Sequence, residues 1–313
     1  LFMTGSSRHA LVFGASGQIG RRVCANLLRE GWRIGAVSRG EHADAPGIHW
    51  IKGDLQRVDG LPTQADAIFS CGPLDSFARW HADNAHISAR VIAFGSTSIE
   101  VKRDSSDANE RDLAARLHAA EALLFATAAV HGAQATVLRP TLVYGAGQDM
   151  TLSRIAALAR RAGFFVLPHG ADGLRQPVHV QDLADAALAA LDAHASHGRS
   201  YALPGGETLR YVEMIKRTLS ALQPPARLIQ VPASLFNVAL STAHLLGTLQ
   251  GLGDAAVARM RDDLVFDVEP ARSDFGFFSL GSAITLYYVA LALVLAALFA
   301  MRRLVDARFG MVL

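Results

Sequence analysis

The stretch His9-Ala-Leu-Val-Phe-Gly14-Ala-Ser16-Gly17-Gln18-Ile19-Gly20 determines the fold class of this chain. An apolar segment runs into three glycines spaced three residues apart, and the amphipathic stretch 21–30 that follows has the pattern of a helix. Gly14 allows a tight turn, Gly17 lets the backbone approach a pyrophosphate, and Gly20 lets the helix pack closely on the strand. Because the helix N-terminus also faces the negative charge, this context predicts a dinucleotide site. The alternative is an ordinary corner between a strand and a helix.

Short apolar segments alternate with helical ones through the first half of the chain. The predicted strands are 10–14, 33–38, 49–53, 67–71, 91–95 and 135–139, and the clearest predicted helices are 20–30 and 112–131. Unbroken apolar strands are typical of a parallel sheet that is covered on both faces. The sequence therefore predicts an α/β fold with a doubly wound, Rossmann-type parallel sheet. We expect a dinucleotide-binding domain at 1–145 and a smaller substrate-side subdomain at 146–274, partly interleaved with the sheet.

The composition excludes several classes of protein. Of the 313 residues 51% are hydrophobic, and the net charge is +2, which excludes a disordered chain and a general attraction to nucleic acid. The two cysteines, Cys24 and Cys71, lack metal-binding spacing and indicate a reducing compartment. The histidines are scattered, so we expect no metal site.

The end of the second predicted strand bears on the choice of cofactor. It reads Val37-Ser38-Arg39-Gly40, without the acidic residue that would bind the ribose of NAD. A hydroxyl followed by an arginine suits a 2′-phosphate, so the sequence predicts NADP over NAD; a solvated surface arginine is the alternative. Asp54 would accept from the adenine amino group or cap a turn. We expect cofactor contacts from Gly14, Ser16, Gly17, Gln18, Ile19, Gly20, Ser38, Arg39, Asp54, Leu55 and Gly72.

Five segments together resemble a known family. They are Gly14-Ala-Ser-Gly17-Gln-Ile-Gly20, Gly53-Asp54-Leu55, Phe94-Gly-Ser-Thr-Ser98, Arg139-Pro-Thr-Leu-Val-Tyr-Gly145 and Arg175-Gln-Pro-Val-His-Val-Gln-Asp-Leu-Ala184. In this order and spacing they resemble the extended or atypical short-chain dehydrogenase/reductases, the NAD(P)-dependent epimerase/dehydratase group that includes relatives of a respiratory complex I subunit. The resemblance covers about residues 9–278. It implies an oxidoreductase, epimerase or dehydratase that acts on a small molecule.

The resemblance also implies roles for single residues. Thr97 stands where these enzymes carry the Ser or Thr that hydrogen-bonds the reacting oxygen of the substrate, with Ser96 and Ser98 as alternatives one residue away. Pro140 would lie beside the nicotinamide. Arg175 matches the arginine that grips the phosphates of nucleotide sugars, a role that its bidentate geometry suits. A surface ion pair is the alternative for Arg175.

The family's catalytic Tyr-x-x-x-Lys pair is missing from this chain. Its lysines are Lys52, Lys102 and Lys216, and none has a tyrosine four residues before it. The helix that should carry the pair has Leu113 and Leu117 at the two positions. The chain is therefore either an enzyme with an atypical site or a non-catalytic NADP(H)-binding scaffold or sensor at a membrane.

Two residues are candidates for a displaced proton donor. Lys102 follows the Ser/Thr cluster by a few residues, and a buried or charge-coupled amine can act as an acid or base. A solvated loop lysine is the alternative, because charged residues surround Lys102. His118 offers the commonest acid/base group, but it should point to a different face of the helix from Leu113 and Leu117.

The C-terminal part of the chain has a different character. No charged residue occurs from 275 to 301, a run of 27 residues bounded by Asp274 and Arg302. Because about 20 helical residues cross a bilayer, we expect a hydrophobic, transmembrane helix over 275–301 and a short tail at 302–313. Because the dinucleotide is cytosolic, we expect the main domain on the cytoplasmic face of that membrane. A buried or oligomer-forming helix is the alternative.

Overall fold

The computed structural model describes residues 8–149, 151–236, 257–279 and 283–306. The strands are β1 (His9–Phe13), β2 (Arg33–Ser38), β3 (Ile48–Lys52), β4 (Ala67–Ser70), β5 (Arg90–Phe94), β6 (Gln134–Pro140), β7 (Val143–Tyr144), β8 (Phe164–Pro168), β9 (Leu174–Arg175), β10 (Val178–His179), β11 (Arg199–Leu203), β12 (Leu209–Arg210) and β13 (Arg227–Val231). The α-helices are α1 (Gln18–Arg29), α2 (Leu74–Asn84), α3 (Ser98–Val101), α4 (Ala108–Val130), α5 (Leu152–Ala162), α6 (Val180–Asp192), α7 (Tyr211–Ser220), α8 (Glu269–Phe275) and α9 (Ala283–Asp306).

Seven of these strands form one parallel sheet in the order β11-β6-β5-β4-β1-β2-β3. Every pairing in it is parallel, from Leu11 beside Gly35 in the middle to Ala202 beside Arg139 at one end. The order of the strands reverses direction between β1 and β4. At such a point neighbouring connections leave to opposite faces and open a crevice at the carboxyl ends of the strands. The predicted doubly wound α/β sheet is confirmed.

Helices cover both faces of the sheet. Ala10 and Val12 of β1 belong to the core under α1 and α6, whereas Leu11 and Phe13 of the same strand belong to the core under α2 and α4. Successive residues of a strand point to opposite faces. A strand that is covered on both faces therefore has to be apolar at every position, and this accounts for the unbroken apolar runs.

Among the helices whose side chains are described throughout, α4 alone has the length and composition of a membrane span. It is nevertheless a core helix. Leu117, Ala120 and Leu124 are buried against the sheet, and the helix packs along α2. The apolar character of α4 therefore reflects burial in the domain.

The second half of the chain adds a smaller unit beside the sheet. β8 pairs with β13, and α5 and α7 enclose a separate small core that includes Ala159, Leu167 and Ile215. Within the range 146–274, however, α6 and β11 return to the large sheet. The smaller unit is thus interleaved with the sheet in sequence.

α8 fastens the end of this region to the sheet. Phe275 packs edge-on against Tyr201 of β11, with 5.0 Å between the ring centroids, and Asp274 accepts a hydrogen bond of 2.5 Å from the Tyr201 hydroxyl. α9 follows, and its described side chains, at 290–299 and 301–303, are exposed. The apolar, amphipathic stretch 234–249 has the sequence pattern of a packed helix, but it lies almost entirely outside the described residues.

A core histidine makes the stability of this fold depend on pH. His81 of α2 is fully buried, and neither ring nitrogen has a hydrogen-bond partner in the described part of the chain. Burial, with a smaller effect of His131, lowers the pKa of His81 from 6.5 to about 4. Between these values the unfolded chain takes up a proton that the folded chain does not. The part of the stability that depends on a neutral His81 is therefore fully present above about pH 6.5 and is lost as the pH falls towards 4.

We expect His81→Leu to stabilise the protein mainly in acid. The gain in free energy of unfolding should be about 2–3 kcal/mol larger at pH 4.5 than at pH 7.5, since the variant removes the titrating group. Urea unfolding followed by circular dichroism at both pH values measures the difference. His118→Leu, at an exposed position of α4, is the matched control. An equal effect of His81→Leu at the two pH values would contradict this account.

Candidate functional site

A cleft opens at the carboxyl ends of β1, β2 and β4, where the strand order reverses. Its cavity has a volume of about 470 Å³, which lies in the usual range for small-molecule sites. We call it the main cleft. Of the predicted cofactor residues it brings together Gly14, Ser16, Gly17, Ser38, Arg39, Asp54, Leu55 and Gly72.

The glycine turn has the geometry that a pyrophosphate requires. Gly14 has a φ of +68°, a conformation that residues with a side chain rarely adopt. A Cβ on Gly20 would lie 2.2 Å from the Gly14 carbonyl oxygen. α1 begins directly after Gly17, and no side chain caps its first N–H groups. Uncapped donors at a helix start and a bare backbone in front of them fit an anionic ligand.

Four of the predicted cofactor residues lie behind the wall of the main cleft rather than in it. Gln18 has a buried side-chain oxygen without a hydrogen-bond partner among the described residues, and Ile19 packs against the core. Gly20 allows α1 to approach the turn, and Pro140 is buried at the end of β6. Gln18, Ile19 and Gly20 thus support the glycine turn from the side of the core.

A basic recess lies beside the end of β2 and adjoins the main cleft. Ser38 Oγ lies 2.9 Å from Ser16 Oγ and 3.1 Å from His42 Nε2, and it accepts from the Gly40 N–H at 3.3 Å. We call this basic recess the serine recess. It is lined by Ser16, Arg21, Ser38, Arg39, Gly40 and His42. Hydroxyls, a backbone N–H and two guanidinium groups make it rich in hydrogen-bond donors.

Asp54 and Leu55 follow β3 and border the main cleft. The backbone N–H groups of Gln56 and Arg57 donate to Asp54 Oδ1 at 2.8 and 3.0 Å. These bonds, that of Arg57 first, hold the pKa of this exposed carboxyl below its usual value. Asp54 thus caps a turn, and because both bonds use Oδ1, the second oxygen faces no competition from them.

The two predicted catalytic residues, Thr97 and Lys102, lie in different surroundings. Thr97 is buried, and its hydroxyl donates to the Pro140 carbonyl at 3.2 Å, so these two predicted residues are neighbours. Ser96 is half-buried beside it. Lys102 is directed to Glu110, with 3.5 Å between Nζ and Oε1. The same carboxylate also binds a guanidinium of the 257–279 segment, so Lys102 belongs to a cluster of charges.

Leu113 and Leu117, at the positions of the missing catalytic pair, line a second cavity of about 240 Å³. It shares Gly72 and Pro73 with the main cleft. We call it the leucine pocket, and it is lined by Gly72, Pro73, Leu74, Asp75, Phe94, Gly95, Leu113, Arg116 and Leu117. His118 is exposed on another face of α4. The cavity is thus largely apolar where the family has its acid/base group.

An ion pair between the half-buried Arg139 and the buried Glu121 lies at the end of β6. Arg139 donates to the Glu121 carboxylate from Nε and Nη2, at 2.8 and 2.5 Å, and the Ser200 hydroxyl donates to it at 2.9 Å. Arg139 Nη1 also reaches Glu100 at 2.9 Å. Glu121 is only 5% exposed. The bonds to Glu121 raise the pKa of Arg139 further, so its guanidinium stays charged.

Arg175 is buried against the ring of Tyr211, 5.3 Å from its centroid. Its guanidinium donates to the backbone carbonyls of Leu174, Arg259 and Asp262. Burial lowers the pKa of Arg175. In this conformation the side chain fastens a distant segment to β9, and it does not line the main cleft, the serine recess or the leucine pocket.

Sequence reasoning missed part of the lining of these cavities. Some of these residues adjoin the recognised motifs and could have been found from that position: Phe13, Val37, Gly53, Gln56, Cys71 and Pro73. Arg21 follows the glycine turn directly. His42, Asp75 and Arg116 carry no such signal, because only folding brings them to the cavities.

The cysteines and histidines show no sign of metal or thiol chemistry in the described part of the chain. No group of three His, Cys, Asp or Glu residues there could hold a metal ion. Cys24 and Cys71 are free thiols. Burial raises the pKa of Cys24 to about 12 and that of Cys71 as well, so both thiols are protonated at neutral pH.

The chain is similar in sequence to one protein family and to individual known proteins. Residues 10–98 and 88–203 match the model of the NAD dependent epimerase/dehydratase family. The 2-alkyl-3-oxoalkanoate reductase of Stenotrophomonas maltophilia is 24% identical over 310 residues, which cover 85% of this chain and 93% of that protein. The mitochondrial NADH dehydrogenase (ubiquinone) 1 alpha subcomplex subunit 9 of Arabidopsis thaliana is 26% identical over 248 residues, which cover 71% of this chain and 60% of that protein.

Solved structures share the fold. The epimerase Mth375 of Methanothermobacter thermautotrophicus superposes with a TM-score of 0.65 at 13% identity, covering 88% of this chain and 89% of that chain. MoeE5, in complex with UDP-glucose and NAD, superposes with a TM-score of 0.63 at 21% identity, covering 88% and 94%. At such identities the likeness concerns the fold alone.

Proposed function

Because the chain belongs to the NAD dependent epimerase/dehydratase family, we propose that it is an NADP(H)-dependent oxidoreductase of the epimerase/dehydratase or reductase type. Its substrate would be a small molecule. When bound, the nicotinamide would supply the hydride donor or acceptor. The residues of the main cleft would bind the pyrophosphate and the adenosine. The serine recess is the observation that supports NADP(H) over NAD(H).

The serine recess suits a 2′-phosphate because of its place and its charge. It lies at the end of β2, where an acidic residue would bind the ribose of the unphosphorylated cofactor. Arg21 is held by a bond of 2.8 Å from its Nε to the Ser16 carbonyl, and Arg39 lines both the recess and the main cleft. Guanidinium groups and hydroxyls form strong, charge-assisted bonds with phosphate oxygens.

We expect Arg39→Ala to weaken NADPH binding selectively. One charge-assisted bond contributes about 1.5–3 kcal/mol, so the dissociation constant of NADPH should rise by about ten- to a hundredfold. NADH binding should change by less than about twofold, since NADH lacks the phosphate. Fluorescence titration of the full chain with each cofactor measures both constants. Arg33→Ala, at the exposed opposite end of β2, is the matched control.

Two results would contradict the preference for NADP(H). One is a parent protein that binds NADH more tightly than NADPH. The other is an Arg39→Ala variant that weakens both cofactors equally. Binding of neither cofactor would overturn the proposed function as a whole.

The catalytic and substrate-binding roles of Thr97, Lys102 and Arg175 are part of this proposal. Thr97 adjoins the end of β6, where the substrate oxygen would be bound. A second candidate function is a non-catalytic dinucleotide-binding component of a membrane assembly. The absence of an acid/base group at Leu113 and Leu117 favours this second function, and so does the relative named as a NADH dehydrogenase subunit. NADPH oxidation with panels of carbonyl compounds and nucleotide sugars separates the two: tight binding without any turnover favours the component.

We further propose that α9 anchors the protein to a membrane, with the main domain on the cytoplasmic side. Leu293, Val294 and Leu295 are successive residues of α9 and are 67%, 55% and 57% exposed. Successive helical residues point about 100° apart, so this part of the helix exposes apolar side chains all round. A helix of that kind requires an apolar environment. The predicted helix bounds 275–301 are wrong at their start, because Phe275 and Phe277 pack against the sheet domain and the helix begins at Ala283. The charge-free part of α9, 283–301, is about 28 Å long as a helix, close to the thickness of the hydrocarbon core of a bilayer.

We expect Leu295→Arg to weaken this attachment. An arginine near the middle of a membrane-spanning helix costs about 2.5–3.5 kcal/mol, so the fraction of protein that floats with phosphatidylcholine/phosphatidylglycerol vesicles should fall clearly. Val130→Arg, at an 82% exposed apolar residue of α4, should float like the parent. A parent protein that stays in solution would contradict the anchor, as would equal flotation of the two variants.

A further inference from the structure

The leucine pocket contains a charged pair that none of the features above uses. Arg116 Nη1 donates to Asp75 Oδ2 at 3.0 Å, where α4 passes the start of α2. We propose that Asp75, held in place by Arg116, binds the hydroxyl groups of the nicotinamide ribose. This inference rests on the proposed dinucleotide function and assigns it a further binding residue.

The position of the pocket fits the nicotinamide half of the ligand. The main cleft follows the ends of β1, β2 and β3, the half of the sheet that takes the adenosine side of a dinucleotide. The leucine pocket continues from Gly72 and Pro73 to Phe94 and Gly95, at the ends of β4 and β5. A dinucleotide that crosses the point of strand reversal reaches the second half of the sheet there.

The lining of the pocket leaves one group that suits a ribose. Its other side chains are apolar, and Asp75 and Arg116 are its charged residues. A ribose presents two neighbouring hydroxyl donors, and a carboxylate is an acceptor with about four lone-pair sites. The Ser76 N–H uses one site on Oδ1, and Arg116 uses one on Oδ2. Arg79 Nη2 also lies 3.9 Å from Oδ2 as an ion-pair partner. Oδ1 therefore keeps the least contested site for a ribose hydroxyl, and Oδ2 accepts one hydrogen bond, from Arg116.

Other polar groups near this edge are committed elsewhere. The Glu121 carboxylate is occupied by Arg139 and a serine hydroxyl, and Lys102 is paired with Glu110. The Thr97 hydroxyl donates to a backbone carbonyl. Asp75 is also paired, but unlike these groups it lines the cavity, with 19% of its side chain exposed.

Arg116 has the character of a positioning residue. Its Nη1 bonds Asp75, whereas its Nε bonds Asp112 at 2.9 Å on the solvent side, where Asp112 is 66% exposed. Leu117, on the same helix, lines the pocket without offering a polar group to the ribose. In this chain the polar contact to the ribose would thus come from Asp75 of α2, and Arg116 of α4 would orient the Asp75 carboxylate.

The test compares two ligands on variants of the full chain. Adenosine 2′,5′-bisphosphate carries the adenosine half of NADPH and lacks the nicotinamide ribose. We expect Asp75→Asn to raise the dissociation constant of NADPH by about tenfold or more and to leave that of the bisphosphate within about twofold. Asp112→Asn is the matched control, because it removes the other partner of Arg116 outside the pocket and should leave both constants nearly unchanged.

Two further variants separate binding from folding. Asp75→Glu keeps the carboxylate and should bind NADPH better than Asp75→Asn. Arg116→Gln should weaken NADPH by a few-fold and spare the bisphosphate, a ligand selectivity that a general loss of structure does not produce. If the parent prefers NADH, the same comparison is made between NADH and AMP.

The outcomes separate this inference from the proposed function. A parent protein that binds neither cofactor overturns the proposed function. A parent that binds a cofactor normally, with Asp75→Asn either unchanged or weakened equally for both ligands, overturns the role of Asp75 alone.

Discussion

Glu121→Ala is expected to lower the free energy of unfolding by about 3 kcal/mol, because it leaves the half-buried guanidinium of Arg139 without its main partner. Glu121 is 5% exposed and binds Arg139 through two bonds, of which the shorter is 2.5 Å. The remaining partner of Arg139 is Glu100, which is half-exposed and binds only Nη1. Urea unfolding followed by circular dichroism measures the loss.

Two further variants test the cause of this loss. The double variant Glu121→Leu with Arg139→Met replaces the pair with apolar groups of similar size and should recover most of the stability, since no buried charge is left unpaired. Glu100→Ala removes the exposed partner and should cost less than about 1 kcal/mol. A double variant as unstable as Glu121→Ala would show that the charge pair is not the cause.

Gly20→Ala is expected to destabilise the protein by about 3 kcal/mol and to abolish tight dinucleotide binding, because overpacking against rigid backbone displaces the elements involved. The new Cβ would lie 2.2 Å from the Gly14 carbonyl oxygen and 2.8 Å from the Ala15 Cα. Both are backbone atoms, so α1 has to move away from the glycine turn. Thermal unfolding and NADPH titration measure the two effects.

Gly35→Ala in β2 is the control for this substitution. Its Cβ would meet the side-chain ends of Ile51 and Leu11 at 3.4 Å, a contact that small side-chain shifts relieve. We expect a change in stability within about 1 kcal/mol and unchanged NADPH binding. If Gly20→Ala behaved like Gly35→Ala, the close approach of α1 to the turn would not be a requirement of the site.

Much of the fold could be predicted because its signals are local. β2 has the predicted bounds 33–38, and β1, β3, β4, β5 and β6 begin or end within one or two residues of their predicted positions. The glycine turn and the Ser38-Arg39 pair lie at the ends of β1 and β2, two neighbouring strands that α1 connects. Their neighbourhood follows from the covalent chain, so a short stretch of sequence is enough to predict it.

The long-range polar contacts around the leucine pocket and in the smaller unit could not be predicted in the same way. Asp75 and Arg116 are 41 residues apart, Glu121 and Ser200 are 79 apart, and Arg175 and Asp262 are 87 apart. Each pair joins elements that meet only when helices pack on the sheet. The sequence shows that charged residues are present, but the partner of each depends on packing.

The sequence by itself determined the doubly wound sheet, the glycine turn and the absence of the Tyr-x-x-x-Lys pair, because periodicity and spacing along the chain express them. Only the tertiary structure decided what surrounds the positions of that pair: an apolar pocket with Asp75 and Arg116 at its wall, and the Glu121–Arg139 ion pair. The physical reason is that strands and turns form from neighbouring residues, whereas a site forms where distant elements exclude water together.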